Sequence, residues 1–541
     1  MRIGTLLSIW IISCAGHFLA AQQLQFTQQQ LPFTGQGKCV VDMNGDFLDD
    51  VVKVLQNSIV VATQTGSGFV VNTYPTETAA HTPSWSIAAG DVDGNGYNDL
   101  LYGGGQGTSF MIANSNGTSF TQQTGTEYVF SQRTNFVDIN NDGHLDAFVC
   151  HDVAPNVYYI NDGNGVLQFN QGGIGDVVDG GNYGSLWVDH DNDGDLEVFL
   201  SKCTGGVTMA NINQLFQNNG DGTFTDVAPQ LGLDDDIQTW STAWGDLDND
   251  MDMDMMIGVF SFVNGGHKLL RNNGNGTYTD ITAGSGFDTN TASGVENVTH
   301  DFDNDGDLDI FGAGGAAVGG MIMMNNGDLT FTPEYVPMNH GPIGDLNNDG
   351  FLDVVNNSTA YFGVDNGNNW VKFNTIGTVS NYNGIGARIE VTSATGTRIR
   401  EVRSGEGFGF MSSLNVHFGL GGDAAIEQVV IRWPSGIVDV LYDQQVNTTI
   451  SVVEGSTGTV AIDDLAPEAI SLYPIPASDR LFIGGLMDTR PPVWIFDPEG
   501  RLIAQLPIVE SSIDVSGLKP GAYLLYLSDQ GKLVRKRFVK V

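Results

Sequence analysis

One acidic nonapeptide recurs seven times, and no other feature of the chain restricts its fold so strongly. The copies are DMNGDFLDD, DVDGNGYND, DINNDGHLD, DHDNDGDLE, DLDNDMDMD, DFDNDGDLD and DLNNDGFLD, beginning at Asp42, Asp91, Asp138, Asp189, Asp246, Asp301 and Asp345. Their first residues lie 49, 47, 51, 57, 55 and 44 apart. Such a period belongs to a repeated supersecondary unit and is too long for tandem metal turns. Two carboxylates about 4 Å apart repel by roughly 4 kcal/mol at an effective dielectric near 20. A compact loop holding several of them needs a cationic partner.

The spacing supplies that partner's ligands. Oxygen side chains stand at positions 1, 3, 5 and 9, a backbone carbonyl is available at 7, and glycine at 6 permits the sharp turn, an order that resembles the front of an EF-hand loop. The candidate ligands are Asp42, Asn44, Asp46 and Asp50; Asp91, Asp93, Asn95 and Asp99; Asp138, Asn140, Asp142 and Asp146; Asp189, Asp191, Asp193 and Glu197. Loops five to seven add Asp246, Asp248, Asp250 and Asp254; Asp301, Asp303, Asp305 and Asp309; and Asp345, Asn347, Asp349 and Asp353. An all-oxygen, loosely arranged set favours calcium over magnesium, which demands a strict octahedron, and over zinc, which prefers nitrogen and sulfur. One ion per loop gives up to seven, with a structural role in locking strand pairs. Phe47 and Met251 replace the turn glycine in loops one and five, so distorted turns or weaker binding are expected there.

The text between the loops reads as short strands. Runs such as WSIAAG precede a loop, and DLLYG, DAFVC, EVFLS and DVVNN follow one. Asn-Gly hairpin signals recur in QLFQNNGDGTFTDV, KLLRNNGNGTYTDI and MMNNGDLTFT. No amphipathic helix is legible between 25 and 371. The fold class is therefore all-β, with a seven-bladed β-propeller of four strands per blade over 25–373. The repeats resemble FG-GAP or VCBS calcium-loop propellers, similar in blade design to the integrin α-subunit head. Between 25 and 371 there are 45 acidic and six basic residues, a net of −39 of the chain's −41. Even a full set of calcium ions leaves this region acidic, which argues against nucleic-acid binding and against unaided adhesion to an anionic membrane.

The ends indicate where the protein works. Residues 1–21, MRIGTLLSIWIISCAGHFLAA, read as a cleavable secretory signal, with a lipoprotein box at Ile11 to Cys14 as the alternative. No other segment is long and apolar enough to span a membrane, so no transmembrane segment is expected in the mature chain. Cys39, Cys150 and Cys203 form no disulfide framework; Cys150 and Cys203 either pair across neighbouring blades or join Cys39 as buried apolar residues.

From 374 to 453 the acidic loops stop and arginine returns. GIGAR at 384–388, SGEGFG at 404–409, HFGLG at 417–421 and WPSG at 433–436 resemble the ASPIC/UnbV domain that follows such propellers in the cartilage acidic protein family. That resemblance implies an architecture and names no reaction. The residues themselves read as a small β domain, in which Arg388, Arg403 and Arg432 with His417 either form a polar site or are exposed strand arginines beside a glycine-rich turn. Residues 454–470 read as a linker. From 471 to 541, SLYPIPASDRLFI, VWIFDPEGRLIAQL and the basic ending resemble the C-terminal sorting domain of type IX secretion cargo, an immunoglobulin-like sandwich, with Ile475 where family members usually carry Asn. The resemblance implies a Bacteroidetes-type bacterium, recognition by the type IX machinery, and a mature protein that is secreted or anchored at the outer-membrane surface.

No HExxH, GxSxG, CxxC pair or P-loop is present, and SGEGFG lacks the strand-to-helix setting of a dinucleotide loop. His151, His190, His300 and His340 read as loop residues. Trp85, Trp187, Trp240 and Trp244 read as blade core, with rim aromatics stacking on sugars as the alternative. No catalytic residue is assigned. The function expected is a secreted calcium-binding propeller acting in extracellular binding or adhesion, with a glycan, protein or surface polymer as ligand. The alternative is a calcium-dependent extracellular enzyme acting on a polysaccharide or other polymer, or a cyclase-like activity at the propeller/ASPIC interface.

Overall fold

The short apolar runs beside each acidic loop are strands in the computed structural model. It describes residues 24–204, 209–263, 265–312, 320–457, 471–474, 477–484, 493–496, 502–509, 511–529 and 532–541. The leader at 1–21, the linker beyond 457 and Ile475 lie outside the described residues. Among those described are seven four-stranded antiparallel sheets between Phe26 and Gly363. Blade three is typical: Ser131–Val137, Asp146–His151, Val157–Asn161 and Leu167–Gln171 pair in that order. The acidic loop joins the first strand to the second, so position 9 opens the second strand, as in the pairing of Val137 with Asp146. First strands of neighbouring blades pack side by side, and the first strand of blade seven returns to that of blade one, closing a β-propeller.

Closure uses a device that the repeat pattern does not reveal. The seventh repeat contributes Ile343–Gly344, Asp353–Asn356 and Thr359–Gly363, and the outer strand is Phe26–Gln30 from the other end of the chain. Its ladder covers the outer edge of blade seven and ties the start of the ring to its finish.

The following module begins with Asn369–Ile376, a strand that crosses the expected boundary at 373. It pairs antiparallel with Val416–Gly421 and parallel with Thr448–Val453. A second sheet orders Gly396–Glu401, Arg388–Ser393, Ile426–Arg432 and Val438–Gln444. Val371, Phe373, Ile389, Phe418 and Trp433 share one apolar core with Val41, Leu101, Phe136 and other residues of blades one to three. The tail is a separate two-sheet structure over its own core of Leu481, Ile483, Val493, Ile495, Leu525 and Phe538.

Candidate metal centres and the docked second module

All seven loops close in the same way. The position 1 carboxylate accepts the N–H of position 6 in every copy, from Phe47, Gly96, Gly143, Gly194, Met251, Gly306 and Gly350, at 2.7–3.2 Å. The position 9 acid accepts the N–H of position 2 with one oxygen, at 2.7–3.2 Å. Its other oxygen takes an N–H from the third strand of the blade, at 2.6–3.4 Å. Each closing acid therefore stitches its loop to the sheet.

Positions 4 and 6 both lie in the left-handed region. Position 4 is always Gly or Asn, the residues that tolerate it best: Gly45, Gly94, Asn141, Asn192, Asn249, Asn304 and Asn348, with φ between 56 and 80°. Phe47 and Met251 adopt φ of 63 and 76° at position 6 and keep the loop's hydrogen bonds. The expected distortion is absent, because the two residues accept a strain of about 1–2 kcal/mol each.

Four loops gather three acids whose oxygens lie within 4.8 Å of one another: Asp91, Asp93 and Asp99; Asp189, Asp191 and Glu197; Asp246, Asp248 and Asp250; Asp301, Asp303 and Asp309. Asp193, Asp254 and Asp305 belong to the same loops but fall outside those triads. In loop two, Asn95 instead donates its amide to Ala113 O at 2.8 Å. Loops one, three and seven carry Asn at position 3, and Asn44, Asn140 and Asn347 donate to Asp46, Asp142 and Asp349 at 3.0, 3.0 and 2.8 Å. Asp42, Asp50, Asp138, Asp146, Asp345 and Asp353 are held there as in the other copies.

The donor set suits a hard cation. Asp248 Oδ1 and Asp301 Oδ1 are buried without a hydrogen-bond partner. Burial pushes the carboxyls of Asp50 and Asp254 up to about 8 and those of Asp146, Asp189 and Asp246 up to about 7. Burial, reinforced by Asp305 and Asp303, holds Asp301 well above the carboxylate range. A cation among these oxygens would supply the charge that keeps them ionised.

The second module sits on the loop-bearing end of the ring. Buried Lys372 donates to Asp345 Oδ2 and Asn348 Oδ1, both at 2.8 Å. Arg388 bonds Asn192 Oδ1 and, at 2.8 Å, Asp189 O, and pairs with Glu401 at 3.2 Å. Arg398 and Arg400 donate to Gly306 O at 3.0 and 3.4 Å, and Gly419 N donates to Asp301 Oδ2 at 3.1 Å. Arg403 reaches Trp244 O at 3.0 Å, and His417 Nε2 donates to Gly350 O at 3.0 Å. The reading as exposed strand arginines therefore fails for Arg388, drawn inward by loop four, and for Arg403, drawn inward by Glu401 and the first strand of blade five. Arg432 alone of the three stays exposed, paired with Glu390 at 2.6 Å.

From this module a finger, residues 404–411, enters the axis of the ring. Ser404 Oγ donates to Ala89 O at 2.7 Å, and Asn135 Nδ2 to Ser404 O and Gly405 O at 3.1 and 2.8 Å. Buried Arg133 donates to Phe408 O and Phe410 O at 3.2 and 2.8 Å, while Glu296 accepts the N–H groups of Phe408 and Gly409 at 2.9 and 2.7 Å. Glu406 meets His300 at 2.7 Å, Met411 pairs with Lys38 and Val40, and Ser413 N donates to Ile343 O at 2.8 Å. Burial raises the Glu296 carboxyl to about 7 and lowers Arg133 to about 10. Gly405 and Gly407 have φ of 92 and 64°, and a Cβ on either would run into Arg133 or Glu296. The SGEGFG run is thus a channel plug, a role its sequence does not announce.

Phe408 carries the finger to the end opposite the acidic loops. Its ring lies 4.8 Å from Trp240, 6.1 Å from Trp85 and 6.3 Å from Tyr183, and Phe260 stacks on Trp240 at 4.8 Å. Trp187 and Trp244 are blade core as expected, but Trp85 is 39 % and Phe260 42 % exposed, and Trp240 is half-buried. Cys39, Cys150 and Cys203 are free and buried. A partly open cavity of about 80 Å³ lies between ring and module, lined by Lys372, Arg400, Arg403, His300, His417 and Glu406 among others.

Comparison with known proteins matches this organisation. The FG-GAP-like repeat model matches residues 42–102, 91–149, 138–200, 204–257 and 301–356, and the ASPIC and UnbV model matches 377–459. The secretion system C-terminal sorting domain matches 471–541. The chain is an FG-GAP-repeat protein with an ASPIC and UnbV domain and a secretion sorting tail. Its tail directs export through the type IX system to the cell surface or extracellular space. Among the described residues no helix is long and apolar enough to cross a membrane. Cartilage acidic protein 1 of Xenopus tropicalis is 28% identical over 280 residues, covering 46% of this chain and 40% of that protein. The Homo sapiens protein is 29% identical over 256 residues, 41% of this chain and 37% of that one. The chain thus spans about 40% of the length of these curated relatives. A lectin of Agrocybe aegerita that recognises non-reducing terminal N-acetylglucosamine aligns at 15% identity over 63% of this chain and 86% of its own, with a TM-score of 0.38.

Proposed function

We propose that this secreted protein is a calcium-loaded binding protein that presents the aromatic end of its ring to a neutral extracellular glycan. Calcium occupies the oxygen sets of the acidic loops and is structural. At tenfold excess over its dissociation constant each independent site adds roughly 1.4 kcal/mol. The observation that carries the binding reading is the finger: it fills the axis where a propeller enzyme would hold its substrate, and it underlies Trp85, Trp240, Tyr183 and Phe260 at the open end. Exposed aromatic groups of this kind mark interaction surfaces, and rings offer flat apolar faces to the C–H faces of sugars. The chain's net charge of −41 disfavours polyanionic ligands.

The enzymatic alternative has one feature in its favour, the histidine- and arginine-lined cavity between ring and module. Its volume of about 80 Å³ falls well short of the roughly 300–1,000 Å³ of a small-molecule pocket. The test incubates the calcium-loaded protein with neutral and anionic polysaccharides, assaying the pellet for protein and the supernatant by mass spectrometry. Retention on a neutral polymer, lost in Trp85→Ala, supports the reading. Release of small products, or retention that ignores Trp85, overturns it.

A further inference from the structure

Asp307 is the one aspartate in DFDNDGDLD without a place in the ligand set, and Asp195 and Asp252 stand at the same position 7 in loops four and five. Each accepts a hydrogen bond from position 4 of the preceding loop. Asn141 Nδ2 donates to Asp195 Oδ1 at 2.7 Å, Asn192 Nδ2 to Asp252 Oδ1 at 2.7 Å, and Asn249 Nδ2 to Asp307 Oδ1 at 2.6 Å. Asn304 extends the series by donating to Gly350 O of loop seven at 3.0 Å. Loops one and two do not join it, because Gly45 and Gly94 stand at position 4, and loop one, which follows Asn348 of loop seven in the ring, carries Leu48 at position 7 with no carboxylate to accept.

We infer that these asparagine-to-aspartate clasps join loops three to six into a cooperative calcium array, with loops one and two outside it. The inference rests on the calcium reading proposed above. Position 4 lies between ligand positions 3 and 5 of its own loop, and position 7 supplies the backbone carbonyl ligand of the next. Ordering one loop around an ion fixes its asparagine, which holds the neighbouring carbonyl in place and reduces the ordering cost of the second ion. Position 7 is acidic only where a position 4 asparagine precedes it in the ring. Leu48, Tyr97, His144 and Phe351 occupy it elsewhere. The same three blades carry hairpin glycines beside that acid, and a Cβ on Gly327 would meet Asp307 Oδ2 at 2.9 Å.

The test uses the mature full chain, stripped by chelation and titrated with calcium alone, with bound ions counted by equilibrium dialysis. Asn249→Gly removes one clasp while keeping a residue at ease with φ of 57°, and Asp307→Leu removes its partner using the residue found at position 7 of loop one. The wild type is expected to bind with a Hill coefficient well above one. Both variants and their double should bind the same number of ions with a shallower isotherm, weakened equally by about fivefold or more at the array. A non-cooperative wild type, or variants as steep as it is, overturns the clasp. No calcium bound at all overturns the calcium reading instead. Thermal melting of the calcium-loaded variants shows that they remain folded, and additive losses in the double variant also count against coupling.

Discussion

Replacing Phe408 by alanine tests whether the finger holds ring and module together. The side chain is 5 % exposed and touches rings from blades two, four and five, so its removal leaves a hole where three elements meet. Truncation of a buried phenylalanine costs about 3–5 kcal/mol. The surrounding first strands are fixed by their own ladders and cannot collapse into the gap, which argues for the upper half of that range. Unfolding entropy of about 2.1 cal/mol/K per residue gives a unit spanning 24–457 roughly 0.9 kcal/mol/K, so a loss of about 4–5 kcal/mol corresponds to about 4–6 °C in Tm. Calorimetry in saturating calcium measures that shift. Trp85 and Trp240 lose their shared neighbour, so tryptophan emission should move to the red. An unchanged Tm with unchanged emission would refute the plug, because the finger would then contribute nothing to the ring's closure.

Chelation should lower Tm in proportion to the sites filled: four acid-triad loops at roughly 1.4 kcal/mol each give a drop of about 6 °C, and a Tm indifferent to chelation removes the structural role of calcium. Met251→Gly relieves a left-handed methionine that is 37 % exposed and packs little, so stability should rise by about 0.5–1 kcal/mol; a lower Tm would show that the loop needs the side chain. Glu296→Gln tests the acid buried against the finger. Its carboxyl is raised to about 7, so its contribution is fully present below the ordinary value near 4.5 and is lost as pH rises through 7. In saturating calcium the wild type's Tm advantage over this variant should shrink between pH 5 and 8, and a constant difference would contradict that assignment.

The loops were legible because their chemistry is local. Nine residues contain every candidate side-chain ligand, and the turn's demands appear as glycine at position 6 and, once the geometry is known, as Gly or Asn at position 4. Phe47 and Met251 misled in one direction only: the glycine rule describes cost, and a loop braced at positions 1 and 9 can bear it. The blades followed from period and strand pattern. The closing strand did not, since Phe26–Gln30 has no repeat partner beside it in sequence and finds one more than 300 residues away.

The finger was hidden for a related reason. Arg133 and Asn135 lie on the first strand of blade three and Glu296 just before that of blade six, and their partners in 404–411 are backbone groups 112–277 residues distant. Backbone acceptors and donors leave no trace in residue type, so the sequence displayed only a glycine-rich turn. The glycines were the available signal, because Gly405 and Gly407 are required where a Cβ would strike the very side chains that grip the finger. The same reasoning explains the arginines. A ring that presents acids at one end selects cations in whatever docks there, and Lys372, Arg388, Arg398 and Arg400 all meet loop carboxylates or carbonyls. Metal ions in the loops and basic side chains above them would then neutralise the same end of the ring from two sides, leaving the aromatic end as the surface free to engage a ligand.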